Sequence, residues 1–172
     1  RFGSRVSMIN AVGDDDFGAM HIANFKEHGV DTTHVYVKSG SSGVAPIWVE
    51  GSGTNRIVIV PGANDSLTAD EAAKAISQIA NLDAVVGQLE IPQAVTAAAF
   101  NQARQMGART FLNPAPAAPI STDLLGATDW LIPNEVEFTM LHPEQAIPDS
   151  DAALKSFADH FGVRTCVTLG EK

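Results

Sequence analysis

Apolar residues fall along this chain in short runs that alternate with longer amphipathic stretches. Val6, Met8, Ala11 and Val12 mark a strand over residues 5–12. A helix is expected next, over residues 16–28. Phe17, Met20 and Phe25 lie along or near one of its faces, and Ile22 and Ala23 widen that face. Aspartates at its start complement the positive end of the helix dipole, and Gly29 suits the position just past its end. A short strand over residues 35–37 leads to a hairpin. Its arms are Val44-Ala45-Pro46-Ile47-Trp48-Val49 and Arg56-Ile57-Val58-Ile59-Val60, joined by the turn-rich Glu50-Gly51-Ser52-Gly53-Thr54-Asn55. Pro46 has no N–H to give a ladder, which favours an edge position.

From residue 66 the rhythm changes. Thr68-Ala69-Asp70-Glu71 is a capping-box pattern that opens a helix to about residue 80. Residues 83–89 are expected to form a buried strand. Pro92 suits the first turn of a helix that runs to Met106, with Gly107 past its end. Strands over 109–112, 129–132 and 164–169 then alternate with helices over 122–126, 135–141 and 150–161, the last closed by Gly162. Strands alternating with helices indicate βαβ units, and right-handed crossovers place helices on both faces. The expected fold class is α/β, with a mainly parallel sheet and one inserted hairpin at residues 44–60.

Composition narrows the function. The 172 residues carry 11 Lys plus Arg against 20 Asp plus Glu, a formal charge of −9, which argues against a nucleic-acid partner. No apolar run reaches the ~18 residues of a membrane span. The single cysteine, Cys166, excludes a disulfide scaffold and fits a reducing, cytoplasmic compartment. No signal peptide is evident, and both ends read as cut points within a longer chain, so the domain is expected to be incomplete.

Ligands of open α/β sheets bind beyond the carboxyl ends of the strands. Glu90 follows the strand ending at Leu89. Asn113-Pro114-Ala115-Pro116-Ala117 follows Leu112, Pro133-Asn134-Glu135-Val136-Glu137 follows Ile132, and Thr168 precedes Leu169-Gly170. These carboxylates, amides and hydroxyl suit a polyhydroxylated ligand, a metal-phosphate complex, or the ordinary polarity of solvent-facing strand ends. A P-loop and a dinucleotide fingerprint are both absent. The five histidines show no metal-ligand grouping and are expected at the surface or half-buried. Cys166 is expected in the core. Asp14-Asp15-Asp16 can hold a cation, but a helix cap is the favoured role. Trp48 can stack on a ligand or simply pack.

Taken together, several segments resemble the ribokinase-like family of carbohydrate kinases. They are Val12-Gly13-Asp14-Asp15-Asp16-Phe17-Gly18, Gly43-Val44-Ala45-Pro46-Ile47, Pro61-Gly62-Ala63-Asn64, Gln88-Leu89-Glu90, Leu112-Asn113-Pro114-Ala115-Pro116-Ala117, Pro133-Asn134-Glu135-Val136-Glu137 and Val167-Thr168-Leu169-Gly170. They are collinear and span nearly the whole chain. The resemblance implies ATP-dependent phosphorylation of D-ribose at its 5-hydroxyl, with Mg²⁺. It implies a small β-sheet lid, of which residues 44–60 form half, and a homodimer contact through that lid. It makes Ala45 and Ile47 apolar contacts to the sugar and Glu90 an acceptor for a sugar hydroxyl. Asn134 and Glu137 match an Asn-x-x-Glu motif that organises Mg²⁺, its waters and the phosphates, with Glu137 on the metal side. Thr168 and Gly170 approach the nucleotide.

The same resemblance places a Gly-Gly-rich sugar segment before residue 1 and a Gly-Ala-Gly-Asp motif after residue 172. The latter supplies the anion hole and the catalytic aspartate, so no catalytic residue is assigned within the chain. A monovalent cation such as K⁺ is implied there too. The expected function is therefore that of a longer parent enzyme, the 172 residues alone being inactive. The alternatives are a kinase for another sugar of the family, such as fructose or a keto-deoxy sugar acid, and a non-catalytic sugar- or nucleotide-binding protein on the same scaffold.

Overall fold

The structure is a computed structural model that describes residues 3–53 and 55–170. Arg1, Phe2, Thr54, Glu171 and Lys172 lie outside the described residues, Thr54 falling in the stretch expected as the hairpin loop. The chain divides into two compact units, residues 1–68 and residues 69–172.

In the first unit, β1 (Ser7–Gly13) pairs in parallel with β2 (Asp31–Lys38), and α1 (Asp16–Glu27) connects them. The register runs from Ile9 opposite His34 to Gly13 opposite Lys38. β2 is far longer than the expected residues 35–37, because its charged ends hide a regular ladder. Its His34 is buried, against the expectation that the histidines lie at or near the surface. The apolar face expected of α1 is also corrected. Phe17 and Met20 are exposed, and Gly18 is the buried residue of the helix. A Cβ on Gly18 would run into the Gly13 carbonyl, so α1 meets β1 through close backbone approach at its first turn rather than through large side chains.

The hairpin forms as expected in outline. β3 (Ile47–Val49) and β4 (Asn55–Ile57) are antiparallel, with Ile47 opposite Ile57 and Trp48 opposite Arg56. Pro46, which has no N–H to donate, still joins the two arms through its carbonyl, which accepts from Val58 N at 3.2 Å. At the root, Val44 and Val60 exchange two N–H···O bonds of 2.9 Å. A 3₁₀ turn over Gly62–Ser66 follows, which the sequence pattern does not announce.

The second unit is an all-parallel sheet in chain order: β5 (Ala84–Gly87), β6 (Arg109–Leu112), β7 (Trp130–Leu131) and β8 (Arg164–Thr165). Its helices are α2 (Ala69–Gln78), α3 (Gln93–Gln105), α4 (Thr122–Gly126), α5 (Glu135–Leu141) and α6 (Asp151–Phe161). Ser121 and Ser150 cap α4 and α6 by accepting from Leu124 N and Ala153 N. The core gathers Ala97 and Phe100 of α3, Leu112 of β6, Leu124 of α4, Leu131 of β7, Phe138 of α5 and Phe157 of α6, with Ala127. The Phe138 and Phe157 rings stack at 4.3 Å between centroids. Behind β6 and β7, the Thr110 hydroxyl donates to the Ala127 carbonyl at 2.7 Å, and the Asp129 carboxylate accepts from Thr110 N at 2.9 Å.

Only one face of this sheet carries the core. Residues 83–89, expected as a buried strand, instead alternate. Val85 packs against the core while Val86 is 70% exposed. On the same outward side Phe111 stacks on Trp130 at 6.4 Å, and the Arg164 guanidinium lies 5.6 Å from the Trp130 ring. Cys166, expected in the core, is exposed: the strand expected over 164–169 is regular only over β8, but the extended segment continues to alternate, with Arg164, Cys166 and Thr168 outward and Thr165 and Val167 inward. His142 is a second buried histidine. Its ring lies 5.5 Å from Phe138 and 6.1 Å from Phe157, and its Nδ1 accepts from Glu144 N at 3.1 Å.

Candidate functional site

The carboxyl rim of the second unit is assembled by hydrogen bonds that continue where the strands stop. Asn113 N donates to Gly87 O at 2.9 Å, and Leu89 N donates to Ala115 O at 2.9 Å. These tie the loop bearing Glu90 to the loop after β6. Ile132 N donates to Leu112 O, Cys166 N to Leu131 O and Thr168 N to Pro133 O, which brings the end of β8 alongside the turn into α5. Asn134 and Thr168 are thereby bridged in parallel register. The rim therefore presents exposed Glu90, Asn134 and Thr168 at the ends of β5, β7 and β8. Gly170 follows with φ +45°.

Asn134 and Glu137 have a specific local arrangement. Asn134 is the N-cap of α5, and its side-chain oxygen accepts from Glu137 N at 2.8 Å. Glu137 Oε2 in turn accepts from Asn134 N at 2.8 Å. This reciprocal capping box satisfies two of the backbone donors that a helix start leaves open. It also fixes both side chains at the rim. The box uses one oxygen of Asn134 and one of Glu137, leaving the Asn134 amide nitrogen and Glu137 Oε1 outside it. Glu137 is only 8% exposed, so its carboxylate is held in place by packing as well as by hydrogen bonding.

This donor set fits a magnesium ion of the kind that keeps most of its waters. Mg²⁺ takes oxygen ligands and is commonly bound through one or two carboxylates plus phosphate and water. Among the described residues no three His, Cys, Asp or Glu side chains converge as a cage. A single buried carboxylate at the rim, flanked by an amide, suits that water-rich mode.

The first unit carries the remaining candidates. Ala45 and Ile47 are exposed on the first arm of the hairpin with Trp48 and Val49, and Ile57, Val58, Ile59 and Val60 are exposed on the second. The Asp14-Asp15-Asp16 run resolves as a cap. Asp15 is the N-cap of α1, and its Oδ1 accepts from Gly18 N at 2.8 Å. Asp15 also receives two bonds from Ser42, a residue that sequence reading did not single out. Only the Asp-x-x-Gly cap pattern is local enough to see, since Ser42 lies 27 positions away. Those bonds, the Ser42 hydroxyl first, hold the Asp15 carboxyl below its ordinary pKa of 3.8. Asp31 is held low likewise, chiefly by the Thr33 hydroxyl. A lowered carboxylate contributes stability that is present above pH 3.8 and is lost as the pH falls through the folded-state value.

Two concave surfaces of the second unit lie away from the rim. One, lined by Arg104, Asp129, Phe161 and Arg164, sits at the amino ends of β7 and β8; the other runs between α3 and α4. Neither includes a rim residue.

The chain is 36% identical over 177 residues to the ribokinase of Haemophilus influenzae, a match covering 100% of the chain and 57% of that protein. It is 34% identical over 176 residues to the deoxyribokinase of Salmonella typhi, covering 100% of the chain and 58% of that protein. The structure of ribokinase from Giardia lamblia superposes with a TM-score of 0.85 at 28% identity, covering 100% of the chain and 56% of that structure. The chain thus spans a little over half the length of these relatives. The profile of the pfkB family carbohydrate kinases matches residues 1–172 throughout, and the chain belongs to that family.

Proposed function

We propose that this chain forms part of an ATP-dependent kinase that phosphorylates D-ribose at its 5-hydroxyl. The carrying observation is the rim of the second unit, where Glu90, the Asn134–Glu137 box and Thr168 stand past the ends of β5, β7 and β8 on one edge of the sheet. On this reading Glu90 accepts a hydrogen bond from a sugar hydroxyl, which an ionised carboxylate does strongly. Asn134, Thr168 and Gly170 bind the nucleotide, and Glu137 holds Mg²⁺ through its waters. Bound Mg²⁺ neutralises phosphate charge, the main requirement of phosphoryl transfer besides positioning. The hairpin of residues 44–60 acts as a lid, with Ala45 and Ile47 as apolar sugar contacts. Its exposed apolar strands favour pairing with a second copy in a homodimer, since contiguous apolar surface of this kind marks interaction sites. The single exposed thiol, Cys166, favours a reducing compartment such as the cytoplasm.

The 172 residues by themselves are expected not to turn over; steady ATP consumption by the purified chain at the rate of a complete kinase would sink that. In the full-length enzyme, Glu90→Ala is expected mainly to raise the KM for sugar, and Glu137→Gln mainly to lower kcat and weaken the Mg²⁺ dependence. Glutamine still serves at the third position of a capping box, so Glu137→Gln tests the charge with the helix start intact. Unchanged kinetics in both variants would show the site assignment to be wrong. A panel of ribose, 2-deoxyribose, fructose and keto-deoxy sugar acids separates ribose from the other sugars.

A further inference from the structure

The root of the hairpin is held by a network that the rim chemistry does not use. Asp15, at the turn between β1 and α1, reaches residues that lead into the hairpin. Its Oδ2 accepts from Ser42 N at 2.8 Å, and its Oδ1 accepts from the Ser42 hydroxyl at 2.6 Å. The same hydroxyl oxygen accepts from Gly13 N at 2.9 Å, the last residue of β1. Ser42 is 2% exposed, so these bonds are sheltered from water. Beside it, Gly40 N donates to the Asp14 carboxylate at 2.9 Å.

The outgoing strand is tied to the same point. Ala63 N donates to Ser41 O at 2.9 Å. Gly62 has φ +52°, and a Cβ there would lie 2.6 Å from the Ser41 and Ser42 carbonyl oxygens. A Cβ on Gly43 would lie 2.6 Å from the Pro61 carbonyl oxygen. Entry and exit of the hairpin therefore touch each other and Ser42, while the hairpin beyond Val44 and Val60 is exposed on both arms.

From this arrangement we infer that Asp15 and Ser42 form a latch that fixes the root of the hairpin to the β1–α1 turn, making Asp15 a positioning residue for Ala45 and Ile47. The functional consequence rests on reading residues 44–60 as a lid; the latch itself does not. A carboxylate has two oxygens, and Asp15 uses them for three donors. One bond caps α1, and the other two hold Ser42. The cap explains why an aspartate is tolerated at residue 15, but serine or asparagine caps a helix equally well. The two bonds to Ser42 need the longer, two-oxygen, charged group, and bonds to a charged partner are the stronger kind.

The two roles separate by substitution. Asp15→Ser keeps a capping oxygen for Gly18 N, but its hydroxyl is one bond shorter and offers a single oxygen. Ser42→Ala leaves the Asp15 cap untouched and removes the hydroxyl that joins Asp15 to Gly13. The measurement is native-state amide exchange at Val44 and Val60, with Ala11 and Val12 of β1 as the reference. It is paired with fluorescence anisotropy of Trp48 in a Trp130→Phe background. Both latch variants are expected to speed exchange at Val44 and Val60 by about tenfold or more relative to β1, as loss of a charge-assisted bond does, and to lower Trp48 anisotropy. Asp31→Asn, a comparable loss elsewhere in the unit, is expected to leave both readouts at the wild-type level. The inference is overturned if Val44 and Val60 exchange at wild-type rates, or speed up only in step with Ala11 and Val12. Should Asp15→Ser fail to fold, Ser42→Ala with its intact cap decides the matter. These readouts need no sugar, so a parent enzyme that failed to phosphorylate ribose would overturn the proposed function and leave the latch standing.

Discussion

Two stretches of this chain look alike in sequence and differ in the folded protein. Thr110-Phe111-Leu112 and Ile57-Val58-Ile59-Val60 are both short β-forming runs bounded by polar or turn residues. Thr110 and Leu112 are fully buried, whereas the four hairpin residues are each roughly half exposed. The difference is not propensity. β6 has a strand on either side, Leu112 joins the core with Phe100, Leu124 and Leu131, and Thr110 is covered where its hydroxyl meets the Ala127 carbonyl. Among the described residues the hairpin pairs only its own two arms, and two strands alone bury little. Apolar character states what a segment can bury, and its partners decide whether it does.

The largest effect that tests this contrast lies in the second unit. Phe138→Ala removes a ring with no exposure that stacks on Phe157. It is expected to destabilise by about 3–5 kcal/mol, through lost transfer energy and the cavity left behind. Denaturant unfolding followed by Trp130 fluorescence measures it, and a loss under about 1 kcal/mol would mean that the aromatic cluster is not what holds this unit. An intermediate effect comes from the rim. Asn134→Ala breaks one half of the capping box and is expected to cost about 1 kcal/mol, whereas Asn134→Asp keeps an acceptor and costs less. Equal stability in both variants would show that the box does not hold the start of α5.

The sequence made the second unit legible because its signals are local. The residues 122–126 and 135–141 helices and the 109–112 strand fall where the pattern predicts them. Asn134 and Glu137 are readable as a family motif at a helix start, and the structure adds that they form a capping box; Ser121 and Ser150 emerge as caps only in the folded protein, the latter one residue before a helix whose expected start is residue 150. What was not legible depends on distance along the chain or on which partner is present. The inward or outward sense of Cys166 is set by register with β7, and a one-residue shift would reverse it. His34 and His142 are buried because neighbouring elements cover them, which no property of histidine foretells. The exposed Phe17 and Met20 follow from Gly18 bringing α1 close to β1 by its backbone. Ser42 is invisible beforehand because its partner Asp15 is remote in sequence.

The smallest expected effect sharpens the comparison most. Val58→Thr and Ile59→Thr replace apolar groups that are already about half in water with β-branched residues that keep strand preference. In a monomer each is expected to shift unfolding by within about 0.5 kcal/mol, the range for surface substitutions away from special features. The proposed homodimer changes that expectation in a defined way. If a second copy covers these arms, the unfolding midpoint of the wild-type protein rises with protein concentration, as for any folded state stabilised by association. The threonine variants would then lose that dependence and sediment as monomers where the wild type sediments as dimers. A midpoint that stays constant with concentration in the wild type, together with neutral variants, would mean that nothing of the same chain covers the hairpin. The same substitutions therefore measure an exposed strand in one case and an interface in the other.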